Sequence, residues 1–393
     1  MISLALAGKP NAGKSTFFKA ATQAEVDVAN YPFTTIDPNR GVAYVRTTCP
    51  CLELDERCEN DHCRNGKRYI PVELIDVAGL VPGAHEGRGL GNQFLDALST
   101  ADVIINVVDA SGGTNEEGEP VDIGSHDPRR DIDFVESEME QWMTGIIKRN
   151  WDTVERQSRS PGFDIDEAIT EMLIDLGASQ SDIATIIREM SYPAGPQEWT
   201  DDLLTELAQS LRKRTKPFVI AANKADIAPD TLLGQLLSND REIVPTTAEG
   251  ELALRQGADA GILAYDPGDE SFEIIGEITD KQRSGLERIA EVMDDWGGTG
   301  VQRVLDNSAF NVLGLIPVFP VQNENRWTDG QDNILPDAFL MEVGSTPRDL
   351  AATIHTDIEE GYLHAVDARS KRRIADDYQL ASGDVIKIVS TAT

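Results

Sequence analysis

The feature that most constrains this chain is a short glycine-containing motif near its N-terminus. Residues 8–15 read GKPNAGKS, in which two glycines bracket four residues and are followed by Lys and a hydroxyl residue. An apolar run, residues 2–7, precedes the motif, and a segment predicted as a helix, residues 16–21, follows it. A strand, a tight loop and a helix in this order form the context in which such a motif binds phosphate. The chain is therefore predicted to be an α/β protein of the P-loop NTPase fold.

Several positions in this loop have a chemical role. Gly8 and Gly13 let backbone N–H groups converge on anionic oxygens at a helix N-terminus. Lys14 is predicted to reach the terminal phosphates as a catalytic residue, and the Ser15 hydroxyl is predicted to hold a magnesium ion. The other residues of this segment predicted to bind the nucleotide are Asn11, Ala12 and Thr16.

Two downstream segments are predicted to respond to the γ-phosphate. Residues 30–38 (NYPFTTIDP) contain two prolines in a polar cluster, which indicates an irregular loop. From this loop Thr35, rather than Thr34, is predicted to complete the magnesium shell, with a plain surface loop as the alternative. Asp76 ends an apolar run predicted as a strand, where its carboxylate suits contact with magnesium through water. Gly79 lacks a side chain, so it can approach the γ-phosphate closely. The predicted catalytic residues are therefore Lys14, Thr35 and Gly79.

The residue after Gly79 is Leu80, where Ras-like switches carry a glutamine that orients the attacking water. Hydrolysis is therefore expected to position its water in another way. The glycine-rich segment that follows contains His85, Glu86 and Arg88. Each of these side chains either reaches the phosphates or is a solvated loop residue.

A third motif predicts which base is bound. Residues 102–110 (DVIINVVDA) and 216–222 (KPFVIAA) read as buried parallel strands, and the second of them leads into residues 223–226 (NKAD). The Asp226 carboxylate is predicted to accept hydrogen bonds from N1–H and the exocyclic amine of guanine, a pair that adenine cannot supply. The sequence therefore predicts GTP and GDP as ligands. The other residues predicted to brace or contact the base are Asn223, Lys224, Thr247 and Ala248.

All four cysteines lie in one short segment between two predicted strands: Cys49, Cys51, Cys58 and Cys63. Four thiols that meet at one point can bind zinc, but these gaps are not among the common zinc-finger spacings. A zinc site, reversible disulfide chemistry and free thiols therefore all remain open.

The chain is predicted to contain a helical insertion and a C-terminal module. Apolar residues between 112 and 212 recur at helical spacing and are predicted to be core, with Asp133 and Thr200 as helix caps. From Leu315 onward, short strands and one helix predict an α+β module of β-grasp type. The predicted division is a split nucleotide domain (1–111 and 213–312), a helical insertion (112–212) and a C-terminal domain (313–393).

The charge balance limits the range of partners. The formal net charge is −33, from 68 acidic and 35 basic residues that are spread along the chain. Such an acidic surface is typical of halophilic proteins and argues against DNA and anionic membranes as broad partners. The sequence contains no run of 18 or more apolar residues and no leader pattern at its N-terminus. Its cysteines are not spread along the chain as in secreted disulfide-bonded proteins. We therefore expect a cytoplasmic protein without membrane contact. One basic cluster either contacts RNA phosphates or is a charged turn: Arg369, Lys371, Arg372 and Arg373.

With these motifs in view, the chain resembles the Obg-related translation-factor GTPases, in particular the archaeal form of the YchF/Obg-like ATPase subfamily. The resemblance rests on GKPNAGKST, YPFTTIDPN, the CPC…C…C insertion, DVAGLVPGAHEGRGLGNQFLD and a C-terminal stretch, AFLMEVGSTPRDL to SGDVIKIV, that is similar to TGS domains. It implies a monomeric, nucleotide-dependent switch. It also implies association with the ribosome or a ribosomal subunit, with the TGS domain and the helical insertion as contact surfaces.

The chain departs from this subfamily at its base-recognition motif. Many members carry a variant of the motif and prefer ATP, whereas this chain keeps Asn223, Lys224 and Asp226, which favours GTP. In potassium-activated relatives an asparagine at the position of Asn11 helps to bind a monovalent cation, which predicts K⁺ as a further cofactor. Two other functions remain open: an ATPase of the same fold that acts in stress or redox regulation, and an RNA-binding adaptor whose nucleotide is structural.

Overall fold

The computed structural model of the chain describes residues 1–22, 39–58, 60–77, 79–86, 91–190, 192–193, 195–238 and 241–391. Its internal contacts divide the chain into two compact units. The N-terminal unit consists of Met1–Ala43 and Val72–Val304, and the C-terminal unit consists of Tyr44–Pro71 and Leu305–Thr393. The predicted division assigned residues 44–71 to the nucleotide domain, whereas the contacts group them with the C-terminal residues.

The largest sheet has seven strands in the order β2-β4-β1-β5-β6-β7, with β3 paired to β4. Its strands are β1 (Ser3–Ala7), β2 (Asn39–Thr48), β3 (Cys63–Arg64), β4 (Lys67–Asp76), β5 (Val103–Asp109), β6 (Phe218–Asn223) and β7 (Ile243–Pro245). The four strand pairs from β4 to β7 are parallel, and β3 pairs with β4 in antiparallel fashion. The segments predicted as buried parallel strands form β5 and β6, and every residue of β5 is buried.

The register of these strands brings polar side chains to one edge of the sheet. Leu6 of β1 pairs with Asp76 of β4, and Asp109 of β5 pairs with Asn223 of β6. Because parallel strands end at the same edge, Asp76, Asp109 and Asn223 all lie there beside the loop that leaves β1. This is the edge at which open α/β sheets bind ligands.

Ten α-helices accompany this sheet in the described part of the chain. They are α1 (Lys14–Thr22), α2 (Gly91–Ser99), α3 (Arg129–Gln157), α4 (Ile165–Leu173), α5 (Gln180–Met190), α6 (Asp201–Thr215), α7 (Asp230–Leu237), α8 (Ala248–Asp259), α9 (Asp280–Trp296) and α10 (Val301–Asp306). A small two-stranded sheet pairs β8 (Leu263–Ala264) with β9 (Glu273–Ile274). No helix among the described residues is both long and apolar enough to cross a lipid bilayer.

Helices α3 to α6 form the predicted helical segment. The prediction that its periodic apolar side chains are core is confirmed, since Met139, Trp142 and Met143 are buried in one cluster with residues of all four helices. The Thr200 side chain caps α6 by accepting a hydrogen bond from the Leu203 N–H, as predicted. The prediction of Asp133 as a cap is wrong, because α3 already begins at Arg129.

The C-terminal unit contains a five-stranded sheet in the order β11-β10-β14-β12-β13. Its elements are β10 (Leu315–Val321), β11 (Phe339–Glu342), α11 (Pro347–Ile354), α12 (Thr356–Glu360), β12 (Tyr362–Asp367), β13 (Arg372–Ile374) and β14 (Val385–Ser390). Only β10 and β14 pair in parallel; the other three pairs are antiparallel. Leu350 and Ala351 of α11 are buried with Val318 and Ile386 of the two central strands. This mixed sheet under one main helix is the α+β module that the sequence predicts.

Candidate nucleotide-binding site

The loop between β1 and α1 has a backbone that only glycine can adopt at two positions. Gly8 has φ of +138° and Gly13 has φ of +103°, both in the region that side chains rarely enter. A Cβ atom at Gly8 would lie 2.4 Å from the Val107 carbonyl oxygen, and one at Gly13 would lie 2.1 Å from the Asn223 side-chain nitrogen. Both glycines of the motif are therefore required by close packing as well as by backbone conformation.

Lys14 is folded into this loop. Its ammonium group donates hydrogen bonds to the carbonyl oxygens of Gly8 (3.1 Å) and Lys9 (2.9 Å), and the side chain is buried. Burial lowers the Lys14 pKa to about 8, although the nearby Asp76 carboxylate acts in the opposite direction. A buried cation bonded only to neutral carbonyls keeps a strong preference for an anionic partner such as a phosphate.

Ser15 and Asp76 lie together beside Lys14. The Ser15 hydroxyl donates to the Asp76 carboxylate at 3.0 Å. Burial raises the Asp76 pKa, while the hydrogen bond from Ser15 and the charge of Lys14 act to lower it. A hydroxyl and a carboxylate are oxygen ligands of the kind that Mg²⁺ prefers, so these residues fit a magnesium site. The third predicted ligand, Thr35, and the alternative Thr34 lie outside the described residues.

The segment after β4 contacts the phosphate-binding loop directly. The Leu80 N–H donates to the Gly8 carbonyl oxygen at 3.1 Å. A Cβ atom at Gly79 would lie 2.8 Å from both the backbone nitrogen and the Cγ of Pro10. Leu80 itself is fully buried in the apolar core. The side chain that stands in place of a water-orienting glutamine is therefore a packing residue.

Since the motifs predict hydrolysis of a nucleoside triphosphate, replacing Gly79 with alanine is expected to reduce the rate of that reaction by about 100-fold, because the new methyl group displaces the loop by roughly 1 Å. The measurements are the single-turnover rate of hydrolysis and, separately, the affinity of the variant for the nucleotide. The control is Gly285→Ala in α9, where a Cβ atom meets nothing within 4 Å and helix propensity favours alanine. Hydrolysis at the normal rate in Gly79→Ala would show that this contact has no role.

The loop that follows is attached to the helical segment. The buried Glu138 of α3 accepts hydrogen bonds from the Gly83 N–H (2.8 Å) and the His85 N–H (2.9 Å), and its Oε2 lies 2.7 Å from His85 Nδ1. In the structure His85 therefore contacts Glu138 rather than the phosphate-binding loop. Glu86 is exposed, and Arg88 lies outside the described residues.

Asn223 joins three parts of the site. Its Nδ2 donates to the Ala12 carbonyl oxygen (3.0 Å), and its Oδ1 accepts from the Ala248 N–H (3.0 Å) at the start of α8. The buried amide thus connects the end of β6 with the phosphate-binding loop and with α8. This is a bracing position, in which both polar atoms of the side chain have partners.

Lys224 and Asp226 have contrasting surroundings. The Lys224 ammonium donates to the Asn11 carbonyl oxygen and to the buried Asp109 carboxylate, both at 2.8 Å. Lys224 also has φ of +59°, which turns the chain sharply after β6. The Asp226 side chain is exposed and has no hydrogen-bond partner in the described part of the chain. Its carboxylate oxygens are thus available as acceptors close to the loop that Asn223 braces.

The sequence predicts that Thr247 and Ala248 contact the base, and backbone amides are the groups there that can donate to the guanine oxygen. In the structure both amides have protein partners, because the Thr247 N–H donates to Thr299 and the Ala248 N–H donates to Asn223. The Thr247 hydroxyl caps α8 by accepting from the Gly250 N–H at 3.2 Å. A base contact through these amides therefore requires an exchange of hydrogen bonds.

Sequence reasoning missed a set of contacts around the second residue of the motif. The Lys9 ammonium is buried; it donates to the Thr114 carbonyl oxygen (2.7 Å) and pairs with Asp131 of α3 (2.8 Å). The Asn11 Nδ2 donates to the Gly118 carbonyl oxygen at 2.9 Å. The segment after β5 therefore packs on the phosphate-binding loop. No sequence signal predicts this, since position 9 is unrestricted in the motif.

The four cysteines meet in the C-terminal unit. The sulfur atoms of Cys49 and Cys58 lie 3.6 Å apart, and those of Cys51 and Cys63 lie 3.9 Å apart. A hydrogen bond with Cys58 lowers the pKa of the Cys49 thiol, while the same contact and burial raise that of Cys58. All four thiols are free, and they can be considered together as a candidate metal site.

Three family models match successive parts of this chain. The model of the 50S ribosome-binding GTPase matches residues 3–149. The model of the Obg-like GTPase YGR210-like, G4 motif-containing domain matches residues 221–323, which include the NKAD motif. The TGS domain model matches residues 331–390. The order of the three agrees with the predicted order of motifs and C-terminal module.

Full-length relatives carry related names. An uncharacterized GTP-binding protein of Methanocaldococcus jannaschii is 45% identical over 400 residues, covering 100% of both chains. An uncharacterized GTP-binding protein of Schizosaccharomyces pombe is 32% identical over 362 residues, covering 88% of each. The ribosome-binding ATPase YchF of Bacillus subtilis is 27% identical over 381 residues, covering 93% of this chain and 87% of its own.

The fold matches solved structures of the same kind. The crystal structure of a GTP-binding protein from Pyrococcus horikoshii is 38% identical, with a TM-score of 0.80 over 99% of this chain and 100% of that one. The S. pombe YchF GTPase shares the fold, with a TM-score of 0.58 at 20% identity. Together with the phosphate-binding loop, the Asn223 brace and the C-terminal sheet, these findings show that the chain belongs to the YchF/Obg-like family of GTPases, with a P-loop G domain and a TGS domain.

Proposed function

We propose that this chain is a molecular switch that binds GTP and hydrolyses it to GDP. The observation that carries the proposal is the exposed Asp226 carboxylate, which follows a strand whose last residue, Asn223, is bonded to the phosphate-binding loop. A carboxylate accepts the two adjacent N–H groups of guanine, whereas adenine offers no such pair. The names of the M. jannaschii and P. horikoshii relatives, both GTP-binding proteins, support the same base.

We assign roles around the triphosphate from the contacts of the described residues and, for Thr35, from the sequence motif alone. Lys14 neutralises charge on the terminal phosphates, and Gly79 supplies an amide close to the γ-phosphate. Ser15, Thr35 and Asp76 would hold a magnesium ion, which would neutralise charge on the phosphates. The backbone from Asn11 to Thr16 cradles the phosphates, and residues 223–226 with Thr247 and Ala248 hold the base.

K⁺ is proposed as an activating ion at Asn11. The side-chain nitrogen of Asn11 is bonded to Gly118, which leaves its Oδ1 as an acceptor without a partner among the described residues. A cation there would supply positive charge that an arginine supplies in other switches. An acidic chain of net charge −33 suits a potassium-rich, high-salt cytosol, which is the proposed location.

Ribosomes are the proposed partner. The B. subtilis relative is named as ribosome-binding, and one matching family model is named after the 50S subunit. The proposed contact surfaces are the helical insertion (112–212) and the TGS domain (313–393), beside a split G domain (1–111 and 213–312), in a monomeric protein. Arg372 and Lys371 are exposed at the edge strand β13 and its turn, where they are available to RNA phosphates.

The decisive experiment measures turnover of GTP and ATP, with and without ribosomes, in K⁺ and in Na⁺. We expect GTP to be preferred, ribosomes to accelerate its hydrolysis, and K⁺ to exceed Na⁺. A preference for ATP supports the second candidate, an ATPase of the same fold, which the name of the B. subtilis relative favours. Ribosome binding without turnover of either nucleotide would instead indicate an adaptor with structural nucleotide. Equal rates of GTP hydrolysis in K⁺ and in Na⁺ would contradict the proposed potassium site and leave the rest of the proposal unaffected.

A further inference from the structure

The cysteine segment brings all four thiols of the chain to one point. Cys49 precedes a short 3-10 turn, Pro50–Glu53, that contains Cys51, while Cys58 follows this turn and Cys63 begins β3. Their sulfur atoms all lie within 4.8 Å of one another. Three of these side chains are buried and that of Cys63 is partly buried. Cys51 and Cys63 are separated by eleven residues in the sequence, so it is the folding of this segment that brings the thiols together.

The sulfur positions fit a single tetrahedral ion. Metal–sulfur bonds of about 2.3 Å in a tetrahedron give sulfur–sulfur edges of about 3.8 Å. The two shortest pairs, Cys49–Cys58 at 3.6 Å and Cys51–Cys63 at 3.9 Å, lie on either side of that value. Multi-iron clusters hold their ligand sulfurs farther apart, because several irons and sulfides lie between them. A disulfide instead needs a sulfur–sulfur bond of about 2 Å and would bring only two thiols together.

A buried arginine offers compensating charge. Four thiolates around a divalent cation leave a net charge of about −2, which is costly to bury alone. Arg68 has an exposed fraction of only 1%, and its Nη2 lies 3.8 Å from the Cys49 sulfur and 3.9 Å from the Cys58 sulfur. The same guanidinium donates to the carbonyl oxygens of Leu335 and Pro336. Arg68 is thus a positioning residue that links the thiols to the chain beyond β10.

We propose that Cys49, Cys51, Cys58 and Cys63 bind one structural zinc ion in the C-terminal unit. All four coordination positions are taken by protein sulfur, so the ion has no open position for substrate and its role is structural. The cysteines share an apolar cluster with Phe319 and Val385, the latter in strand β14. The ion would therefore fix the four cysteines and the chain segments that carry them against the C-terminal sheet.

The test begins with the metal content of the full-length chain, purified without chelators. We expect about one zinc ion per chain. Replacing zinc with Co²⁺ should give the intense visible bands of tetrahedral cobalt and the near-ultraviolet thiolate charge-transfer band. Removing zinc with a chelator should lower the temperature at which the protein unfolds, because a bound metal stabilises only the folded chain.

A pair of variants ties the ion to the cysteines. Cys63→Ser removes the least buried ligand and should reduce bound zinc by more than about 90% when the variant is purified in the same way as the unaltered chain, without chelators. Asp61→Ser changes an exposed residue of the same loop and should retain one zinc ion. If Cys63→Ser fails to fold, the cobalt spectrum of the unaltered chain still decides the question.

Three results would overturn the proposal. The first is that the unaltered protein contains no zinc and that its four thiols react with a thiol reagent at the same rate before and after zinc is added. The second is a mass two or four units below that of the reduced chain, which shows disulfides. The third is stoichiometric iron, with the absorption of an iron–thiolate centre. None of these readouts uses hydrolysis, so a failure here leaves the proposed function untouched.

Discussion

Lys14→Ala is expected to reduce GTP hydrolysis by about 100- to 1000-fold, the usual cost of losing one preorganised group that stabilises transition-state charge. The ammonium group lies inside the phosphate-binding loop, bonded to the Gly8 and Lys9 carbonyl oxygens. Backbone N–H groups of the loop are unchanged by the substitution, so GDP affinity should fall less than the hydrolysis rate. Single-turnover hydrolysis and equilibrium binding of GDP measure the two effects separately.

Lys19→Ala is the matched control. Lys19 lies on the same helix, is exposed, and loses the same charge on substitution, so both hydrolysis and binding should be unchanged. Equal losses in the two variants would show that the general charge of α1 matters rather than the position of Lys14. Unchanged hydrolysis in Lys14→Ala would contradict the assigned role.

The pH dependence gives an independent signature of Lys14. Its pKa is lowered by burial from 10.5 to about 8, so between these values Lys14 is neutral in the folded chain and protonated in the unfolded chain. The unfolded state then binds more protons, and this residue makes stability rise with pH from about 8 to 10.5. Phosphate binding requires the charged form, so GDP affinity should fall by up to about tenfold per pH unit above about 8. Lys14→Ala should lack this component.

The parts of the site that follow from the sequence are those set by local chemistry. Gly8 and Gly13 are predicted because a phosphate-binding turn needs their backbone, and the structure gives both positive φ values. The strands β5 and β6 are predicted because buried parallel strands are continuously apolar. The core positions of α3 are predicted from the helical spacing of apolar residues. The glycines, the strands and these core positions are all predictable because each depends on a pattern within one short segment.

The parts that do not follow from the sequence are contacts between distant segments. Lys9 pairs with Asp131 across more than 100 residues, and nothing in either local pattern indicates the pair. The Thr247 amide bonds to Thr299, a partner that no motif specifies. Residues 44–71 belong to the C-terminal unit because the cysteine segment packs against Phe319 and its neighbours. This assignment depends on tertiary contacts and not on a local sequence pattern. Spacing alone left the cysteine chemistry open for the same reason.

Asp226→Asn is expected to exchange the base preference of the site. The carboxylate accepts two hydrogen bonds from guanine, while an amide presents a donor to one of those N–H groups. The variant loses the charge-assisted hydrogen bond at that N–H group, about 1.5–3 kcal/mol, which corresponds to about 10- to 100-fold in affinity for GDP. Xanthine carries a carbonyl oxygen where guanine has its amine, so the variant should bind xanthosine nucleotides more tightly than guanosine nucleotides. Equilibrium titration with GDP, XDP and ADP measures the exchange.

Asp230→Asn provides the control, because Asp230 is an exposed aspartate four residues away, at the start of α7, and loses the same charge. It should retain the GDP affinity of the unaltered chain. We expect both variants to fold as the unaltered chain does, since Asp226 is also exposed and has no hydrogen-bond partner in the described part of the chain. Unchanged GDP affinity in Asp226→Asn would mean that the base is read elsewhere. A carboxylate that faces adenine has no donor from the base at either oxygen, so the assigned role of Asp226 requires GDP to bind more tightly than ADP. Tighter binding of ADP than of GDP by the unaltered chain would contradict that role and place this protein with the ATP-preferring relatives.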